Sequence, residues 1–536
     1  MNIETLYKSQ DEVNIRSYLN KCNIDDIEEF VYPTGKYIES YEKYSDHYTI
    51  SSFIVNKKYY DNNIYIIQDS DVDGICSATI AYQSLIHLGY DRRRIIVKFH
   101  KGKQHGLSDI YNEILTDNGT GLVWIPDAGT NDAEECKKLY DKGWAVLITD
   151  HHEKDKRNPY CVIVNNQCCP KVDNKALSGT GVTFKYIQFC CSLIKDNWYK
   201  TLLDIVAIAN IGDVMAMNNY ENRTFNYYGF RHIVNPFLKY MIDEFIGDDI
   251  TPQKIAFNIC PKLNAVCRSN NQELKVDLFK AFVGINQDYE DIVKRIKKQH
   301  KKQKDDVDKL YIDILKNEKD YLMLETDLGI RIYNTVVQTP YTGLIATKLC
   351  DKFKAPVIVI YQVDDMMIGS CRSTVPLKTK ILESELLDIC AGHEQSFGVG
   401  WSVLINHTTK VFNYIRNIQL DTTPTHKVLY SCNIKDIEYV IFDMWYQYRE
   451  LWGKGIEEPV IHLTGLHLDK KDVKKIGSNG IKFTYGYIEF IMFGVDINEF
   501  KNMLPKSIEV VGSVSINEWN GNKKRQIVIQ DYLLSN

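Results

Sequence analysis

The chain has no excess of positive charge. Its 65 lysines and arginines are outnumbered by 70 aspartates and glutamates, giving a net charge of −5 and a pI of about 6.3. Bulk charge therefore does not announce a nucleic-acid partner, and only local charge can carry that question. Cys-x-x-Cys is also missing, although there are 14 cysteines. Cys168-Cys169 and Cys190-Cys191 are adjacent pairs, ill suited to a disulfide framework. The cysteines read as reduced thiols and the protein as cytoplasmic. No apolar run is long enough to span a bilayer. The amino terminus carries Glu4, Lys8, Asp11 and Glu12 and so lacks the apolar core of a signal peptide. No membrane partner is expected. What the chain does have is 44% hydrophobic residues over 536 positions, enough core for three or four domains.

It also has carboxylates at the ends of apolar runs. Ile64-Tyr65-Ile66-Ile67 leads into Asp69-Ser70-Asp71-Val72-Asp73-Gly74. Such a run reads as a buried strand, and the carboxyl ends of strands are where open α/β sheets place ligands. Three carboxylates on alternate residues repel one another and call for a hard divalent cation. The pattern recurs. Leu122 to Pro126 runs into Asp127-Ala128-Gly129, and Ala145 to Thr149 into Asp150-His151-His152. Ile205 to Ile208 leads through Ala209-Asn210-Ile211-Gly212 to Asp213. The donor set is rich in oxygen, with some imidazole and no thiolate, which suits Mn²⁺ or Mg²⁺ better than a structural zinc.

The spacing predicts a leader over 1–55, polar and Tyr-rich, packed on a parallel α/β domain over 56–235. Helix-length segments such as Ser77 to Leu88 and Ala133 to Lys142 separate the strands. Residues 236–320 read as helical and end in one long helix from Asn286 to Glu318. Its basic run, Lys294, Arg295, Lys297, Lys298, Lys301, Lys302 and Lys304, is either a solvated face or a phosphate-facing connector. A smaller α/β unit follows over 321–420, with a helix from Thr342 and the strand Val357 to Tyr361. Asp421 to Thr425 reads as a linker. Residues 426–536 carry short alternating strands, such as Ile481 to Glu489, and turn signals at Asn479-Gly480 and Asn520-Gly521. They read as a small all-β barrel.

The order Asp-x-Asp-x-Asp-Gly, Asp-x-Gly, Asp-His-His and a distant Asp resembles the DHH phosphoesterases. Their RecJ branch is similar in further places: Leu177-Ser178-Gly179-Thr180-Gly181, Pro261 to Arg268, Gly369-Ser370-Cys371-Arg372, Gly392-His393, and Val511-Gly512 through Trp519 to Asp531. Two residues depart from that pattern, Cys267 and Ala391, each where the family has glycine. Family members often begin the first motif with His, whereas Asp69 stands where RecJ proteins also have an acid.

The resemblance implies a DHH domain, a DHHA1 domain joined by the long helix, and a C-terminal OB-fold, with the two α/β domains around a groove. It implies two divalent ions, Mn²⁺ or Mg²⁺. Asp127 would bridge them, Asp71 and Asp69 would serve one ion, and Asp73, His151 and Asp213 the other. His152 would touch phosphate and Asp150 would orient its neighbours. Asn264, Arg268, Ser370, Arg372 and His393 would hold the terminal phosphate, and Trp519 would stack a base beside Lys523, Lys524 and Arg525. Lys101, Lys103 and His105 either line the substrate path or sit on a solvated loop. The implied function is metal-dependent, 5′ to 3′ hydrolysis of single-stranded DNA by a monomer, with a single-strand-binding protein or helicase as partner. Two other readings stay open: a DHH phosphodiesterase on short oligonucleotides or cyclic dinucleotides, and a non-catalytic replication or recombination scaffold.

Overall fold

Five short runs rich in Ile, Val and Leu form one parallel sheet in the computed structural model, which describes residues 2–44, 54–108, 110–155, 157–336, 339–420, 425–477, 480–504, 507–519 and 522–535. The strands are β1 (Asn63–Gln68), β2 (Ile95–Phe99), β3 (Gly121–Pro126), β4 (Ala145–Asp150) and β5 (Val162–Asn165). Their order is β2-β1-β3-β4-β5, parallel throughout. Both faces are buried, as an all-parallel sheet requires. Tyr65, Ile67, Val123, Ile125, Val146 and Ile148 pack with Trp144 on one face. The chain leaves β1 toward one edge and returns to β3 on the other side. That reversal is the switch point at which a crevice opens beyond the strands' carboxyl ends.

Helices α1 (Val72–His87), α2 (Gly179–Leu193) and α3 (Leu203–Gly212) cover the sheet. The run Ile205 to Ile208, read from its spacing as another strand-like segment delivering an acid, lies inside α3. Residues 204–211 are buried without a break, so the run carries neither a strand nor an amphipathic-helix period. Asp213 therefore follows a helix instead of a strand. Residues 236–285 are helical, including α4 (Cys260–Cys267), and lead into α5 (Tyr289–Lys316). On α5 Ile292, Ile296, Val307 and Ile314 are buried. The basic run between them lies on the opposite face: Lys294, Lys298, Lys301, Lys302 and Lys304 are exposed. Arg295 pairs with Asp277 and Lys297 with Glu244.

The chain divides into two units, each with its own core. One comprises Ile15–Lys301 together with Tyr448–Glu457; the other comprises Met1–Asn14, Lys302–Gln447 and Glu458–Asn536. The leader expected to pack on the first α/β domain is thus split. Its residues 2–5 instead pair in parallel with Thr425–Val428.

In the second unit β6 (Leu322–Glu325), β7 (Arg331–Asn334), β8 (Val357–Val363), β9 (Met366–Arg372), β10 (Ile389–His393) and β11 (Ser396–Ser402) form a sheet ordered β10-β11-β9-β8-β7-β6. It carries α6 (Thr342–Phe353) and α7 (Ile405–Asn417). A seven-stranded sheet follows: β12 (Ser431–Asn433), β13 (Val460–Leu466), β14 (Lys474–Lys475), β15 (Gly480–Tyr485), β16 (Ile488–Phe493), β17 (Ser507–Trp519) and β18 (Asn522–Ser535), ordered β12-β13-β17-β18-β16-β15-β14. Ile481 to Glu489 is not one strand but the hairpin β15–β16, turned at Gly486 with φ +57°. Asn479, Asn520, Gly521 and the linker at 421–424 lie outside the described residues. The strands flanking both Asn-Gly pairs do run antiparallel. Helices α8 (Val440–Gln447) and α9 (Ile497–Met503) accompany these strands. All 14 cysteines are free. Among the described residues no helix is long and apolar enough to cross a membrane.

Candidate metal centre

The first acidic motif is shaped by a helix start. Asp71 caps α1 by accepting from the Gly74 amide at 3.1 Å, the usual task of an Asp at that position. A Cβ on Gly74 would stand 2.4 Å from the Asp69 carbonyl oxygen. The turn that gathers Asp69, Asp71 and Asp73 therefore needs glycine there. Asp73 lies in the first turn of α1. Its Oδ2 accepts from the Gly179 amide at 2.7 Å and its Oδ1 from the Thr180 amide at 2.9 Å. These are the opening amides of α2, whose positive end favours a carboxylate. A Cβ on Gly179 would meet Asp127 Oδ1 at 2.2 Å, so the Gly-x-Gly segment serves close approach. Asp127 follows β3 with φ +78°, a conformation that costs a non-glycine residue about 1–3 kcal/mol and that clusters at functional sites.

Strand ends and helix ends thus bring donors together at the switch point. Asp69, Asp71 and Asp127 form one group whose ligand atoms lie within 4.8 Å of one another. Asp73, His151 and Asp213 form a second on the same criterion. His151 Nε2 lies 3.8 Å from Asp73, 3.4 Å from Asp127 and 3.6 Å from Asp213. Asp127 stands in both neighbourhoods.

The residues fit a divalent metal on two observations. Asp69 Oδ1 and Asp127 Oδ1 are buried acceptors with no hydrogen bond, and a buried unsatisfied carboxylate oxygen is costly. Burial and the surrounding Asp73, Asp71, Asp69 and Asp213 carboxylates push Asp127 well above the usual carboxylate range. Burial, Asp73 and Asp71 do the same to Asp213. Burial and then His152 hold His151 below its ordinary range, in the neutral form that ligates metals. A cation there would offset the repulsion between the carboxylates and take the neutral imidazole as a ligand.

Asp150 is saturated. Its Oδ1 accepts from the His151 amide at 2.7 Å, the His152 amide at 3.2 Å and His152 Nδ1 at 2.8 Å. Its Oδ2 accepts from the Thr130 amide at 3.1 Å and hydroxyl at 2.6 Å. Burial works against ionisation of Asp150, but His152 and these bonds outweigh it and hold the carboxyl low. Asp150 is therefore a positioning group that fixes the His152 ring. His152 itself is half exposed at 55%, with Nε2 turned away from Asp150.

Arg268 ends α4 and places Nη2 3.5 Å from Asp71 Oδ2. Arg268 Nε and Asn264 Oδ1 are buried without a hydrogen-bond partner. Cys267, where the resembling family has glycine, is the last helical residue and is buried. Its side chain is accommodated in the core without displacing Arg268 from Asp71.

In the other unit Ser370 and Arg372 share one face of β9. Ser370 Oγ lies 3.0 Å from Thr342 Oγ1. A Cβ on Gly343 would stand 2.8 Å from Arg372 Nη2, so both side chains sit at the N-terminus of α6, where amides and helix dipole favour an anion. His393 ends β10 and Trp519 ends β17; their side chains lie outside the described residues.

Sequence reasoning left His105 undecided. The structure sets its Nδ1 2.7 Å from Asp69 Oδ2, and Gln104 donates to Ser70 Oγ at 3.2 Å. Neither residue falls in an acidic motif. The only signal was a basic loop following a strand of the same sheet.

The structure thus places a carboxylate–imidazole cluster able to hold metal at the switch point of a parallel α/β unit. The DHH family, N-terminal domain, matches residues 63–210, and the RecJ OB domain matches residues 431–531. The chain thus resembles the RecJ branch of the DHH family in two of its segments. It is 27% identical over 558 residues to the putative SPbeta prophage-derived single-strand DNA-specific exonuclease YorK of Bacillus subtilis strain 168, covering 96% of this chain and 95% of that one. With the single-stranded-DNA-specific exonuclease RecJ of the same strain it shares 26% identity over 495 residues, 88% of this chain and 61% of that one. The fold is similar to that of Thermus thermophilus RecJ in complex with Mn²⁺, with a TM-score of 0.76, 18% identity, and coverage of 100% of this chain and 79% of that one.

Proposed function

We propose that the protein is a metal-dependent exonuclease that hydrolyses phosphodiester bonds of single-stranded DNA from the 5′ end. The observation that carries this reading is the convergence of Asp69, Asp71, Asp73, Asp127, His151 and Asp213 at the switch point. Divalent ions held by these residues would supply Lewis acidity toward the phosphate and the attacking water. The chain's own groups do the rest. Amides of Gly179 and Thr180 lock Asp73, and Asp150 aims the His152 Nε2–H at a phosphate oxygen, where a donor stabilises developing charge. Arg268 and Asn264 in one unit, and Ser370, Arg372 and His393 in the other, are each read as phosphate-binding groups, since a guanidinium fork pairs bidentately with phosphate. The 5′ polarity rests on the RecJ relatives.

We keep the domain limits read from the sequence: 56–235 DHH, 236–320 helical, 321–420 DHHA1 and 426–536 OB-fold. The exceptions are residues 2–14, which join the unit holding the last two, and 448–457, which join the unit holding the first. A monomer in the cytoplasm, handed strands by a single-strand-binding protein or helicase, completes the reading. The intact donor set argues against a non-catalytic scaffold, and the RecJ OB match against a small-substrate phosphodiesterase. Supplying Mn²⁺ with a single strand, the matching blunt duplex and a cyclic dinucleotide separates them. Only the single strand is degraded on this proposal; preferred turnover of the cyclic dinucleotide refutes it.

A further inference from the structure

Ten residues in the C-terminal region of the sequence, Tyr448–Glu457, belong to the unit that holds the candidate metal centre. They are anchored there on several sides. Leu451, Trp452 and Ile456 are buried. Tyr18 Oη donates to the Glu457 carbonyl at 2.7 Å, and its ring lies 6.1 Å from that of Trp452. Arg449 Nε donates to Asp249 Oδ1 at 2.9 Å, and Arg231 Nη2 to Glu450 Oε2 at 2.7 Å.

The tip of this segment is a tight turn. Gly453 and Ile456 exchange both backbone hydrogen bonds at 2.9 Å, leaving Lys454 and Gly455 at the apex with Gly455 at φ +86°. The apex presses on the loop that follows Asp213. The Met217 amide donates to the Lys454 carbonyl at 2.7 Å. A Cβ on Gly453 would meet Met217 Cγ at 2.6 Å, and one on Gly455 would meet Asn218 Oδ1 at 2.6 Å. Glycine at both positions is what lets two backbones touch.

The loop needs such support. The backbone of Asp213 is held at the end of α3, through its amide to the Ala209 carbonyl at 2.9 Å. The next residue, Val214, is β-branched, exposed and at φ +53°, a genuine backbone outlier for its type. A strained conformation persists only where the surroundings over-determine it. Here they include the Asn222 side chain on the Ala216 carbonyl at 3.2 Å and the Lys454 carbonyl on Met217.

We propose that the Gly453–Ile456 turn is a positioning element for Asp213, so that the stretch of sequence carrying the RecJ OB domain also completes the metal centre. This rests on reading Asp213 as a metal ligand. The consequence is that the DHH unit cut off before residue 426 is an incomplete enzyme, even toward the shortest substrate.

The test uses full-length Gly455→Val, which forces a side chain into a left-handed backbone and against Asn218, alongside wild type and Asp213→Ala. Mn²⁺ titration followed by electron paramagnetic resonance gives the number and affinity of bound ions. Binding of a long single strand in metal-free buffer is the control. The expected result is that Gly455→Val loses about ten-fold or more in affinity for one of two ions, the scale typical of groups that orient a ligand. Asp213→Ala should lose the same ion, while strand binding changes less than about two-fold. A merely structural lesion would weaken both ions and strand binding together. If Asp213→Ala loses an ion and Gly455→Val keeps both at wild-type affinity, the turn does not position Asp213. If Asp213→Ala itself keeps both ions, the ligand reading fails and takes the proposal with it. Should Gly455→Val not fold, Gly455→Ala is read in the same way, with a loss of about three-fold expected.

Discussion

Asp127 is the residue on which the centre turns. It combines a positive φ, a buried oxygen without a hydrogen bond, and four carboxylate neighbours. Without metal such a group opposes folding, because like charges in a desolvated site repel. Asp127→Asn should therefore melt at the same temperature as wild type or higher in metal-free buffer, and lose the rise that Mn²⁺ gives the wild type through binding to the native state. Differential scanning calorimetry with and without Mn²⁺ checks both halves. A lower metal-free melting temperature would mean that the carboxylate is structurally supported after all. The two arginines read as phosphate-binding groups make a second prediction at this scale. A charged hydrogen bond contributes about 1.5–3 kcal/mol. Arg268→Ala and Arg372→Ala should each lower the preference for 5′-phosphorylated over 5′-hydroxyl strands roughly ten-fold or more in kcat/KM. Equal losses on both substrates would show that neither arginine reads the terminal phosphate.

Among elements, what the sequence revealed was what is local. β1, β3 and β4 were legible because apolar runs ended abruptly in acids, and α1 because its cap and first-turn carboxylates stand in one hexapeptide. α3 was misread for want of any period in a helix buried on all sides. β15–β16 was taken as one strand because the Gly486-Tyr487 turn interrupts the alternation only briefly. Asp213 was still found, since its distance from the other motifs does not depend on which element carries it. The Gly453–Ile456 turn was invisible, because nothing in the order of residues announces contact between positions 217 and 454. This bears on how the OB region is tested. Removing residues 426–536 would not separate strand capture from chemistry, because it would also remove Tyr448–Glu457. Surface substitutions are the better tool. Lys523 lies over the Tyr446 ring at 4.1 Å and Arg525 over Tyr439 at 4.3 Å, so both are bound into the fold. Trp519→Ala with Lys524→Ala should weaken binding to long single strands about five-fold or more, since one stacked base contributes roughly 1–3 kcal/mol, and flatten its salt dependence. Dinucleotide hydrolysis should stay within about two-fold. Equal losses on both substrates would show that the tip of the β17–β18 hairpin supports the fold instead of gripping DNA.

For the whole molecule, the net charge of −5 hid the function because the centre itself is acidic. Ions placed there offset much of that charge, and arginines at two helix ends give local attraction that bulk composition averages away. The same donor set dictates metal preference. A donor set in which carboxylates outnumber imidazoles suits the higher coordination of Mn²⁺ and Mg²⁺, whereas Zn²⁺ favours fewer ligands with more nitrogen or sulfur. One measurement therefore tests the central claim most directly. Single strands labelled at the 5′ or the 3′ end are incubated with wild-type protein and with Asp127→Ala, in Mn²⁺, Mg²⁺ or Zn²⁺, and label release is followed in time. Wild type should release 5′ label at once as mononucleotide and 3′ label only late, with Mn²⁺ or Mg²⁺ and poorly with Zn²⁺, while folded Asp127→Ala releases neither. Near-normal release by Asp127→Ala, best activity with Zn²⁺, or early loss of the 3′ label would contradict the account.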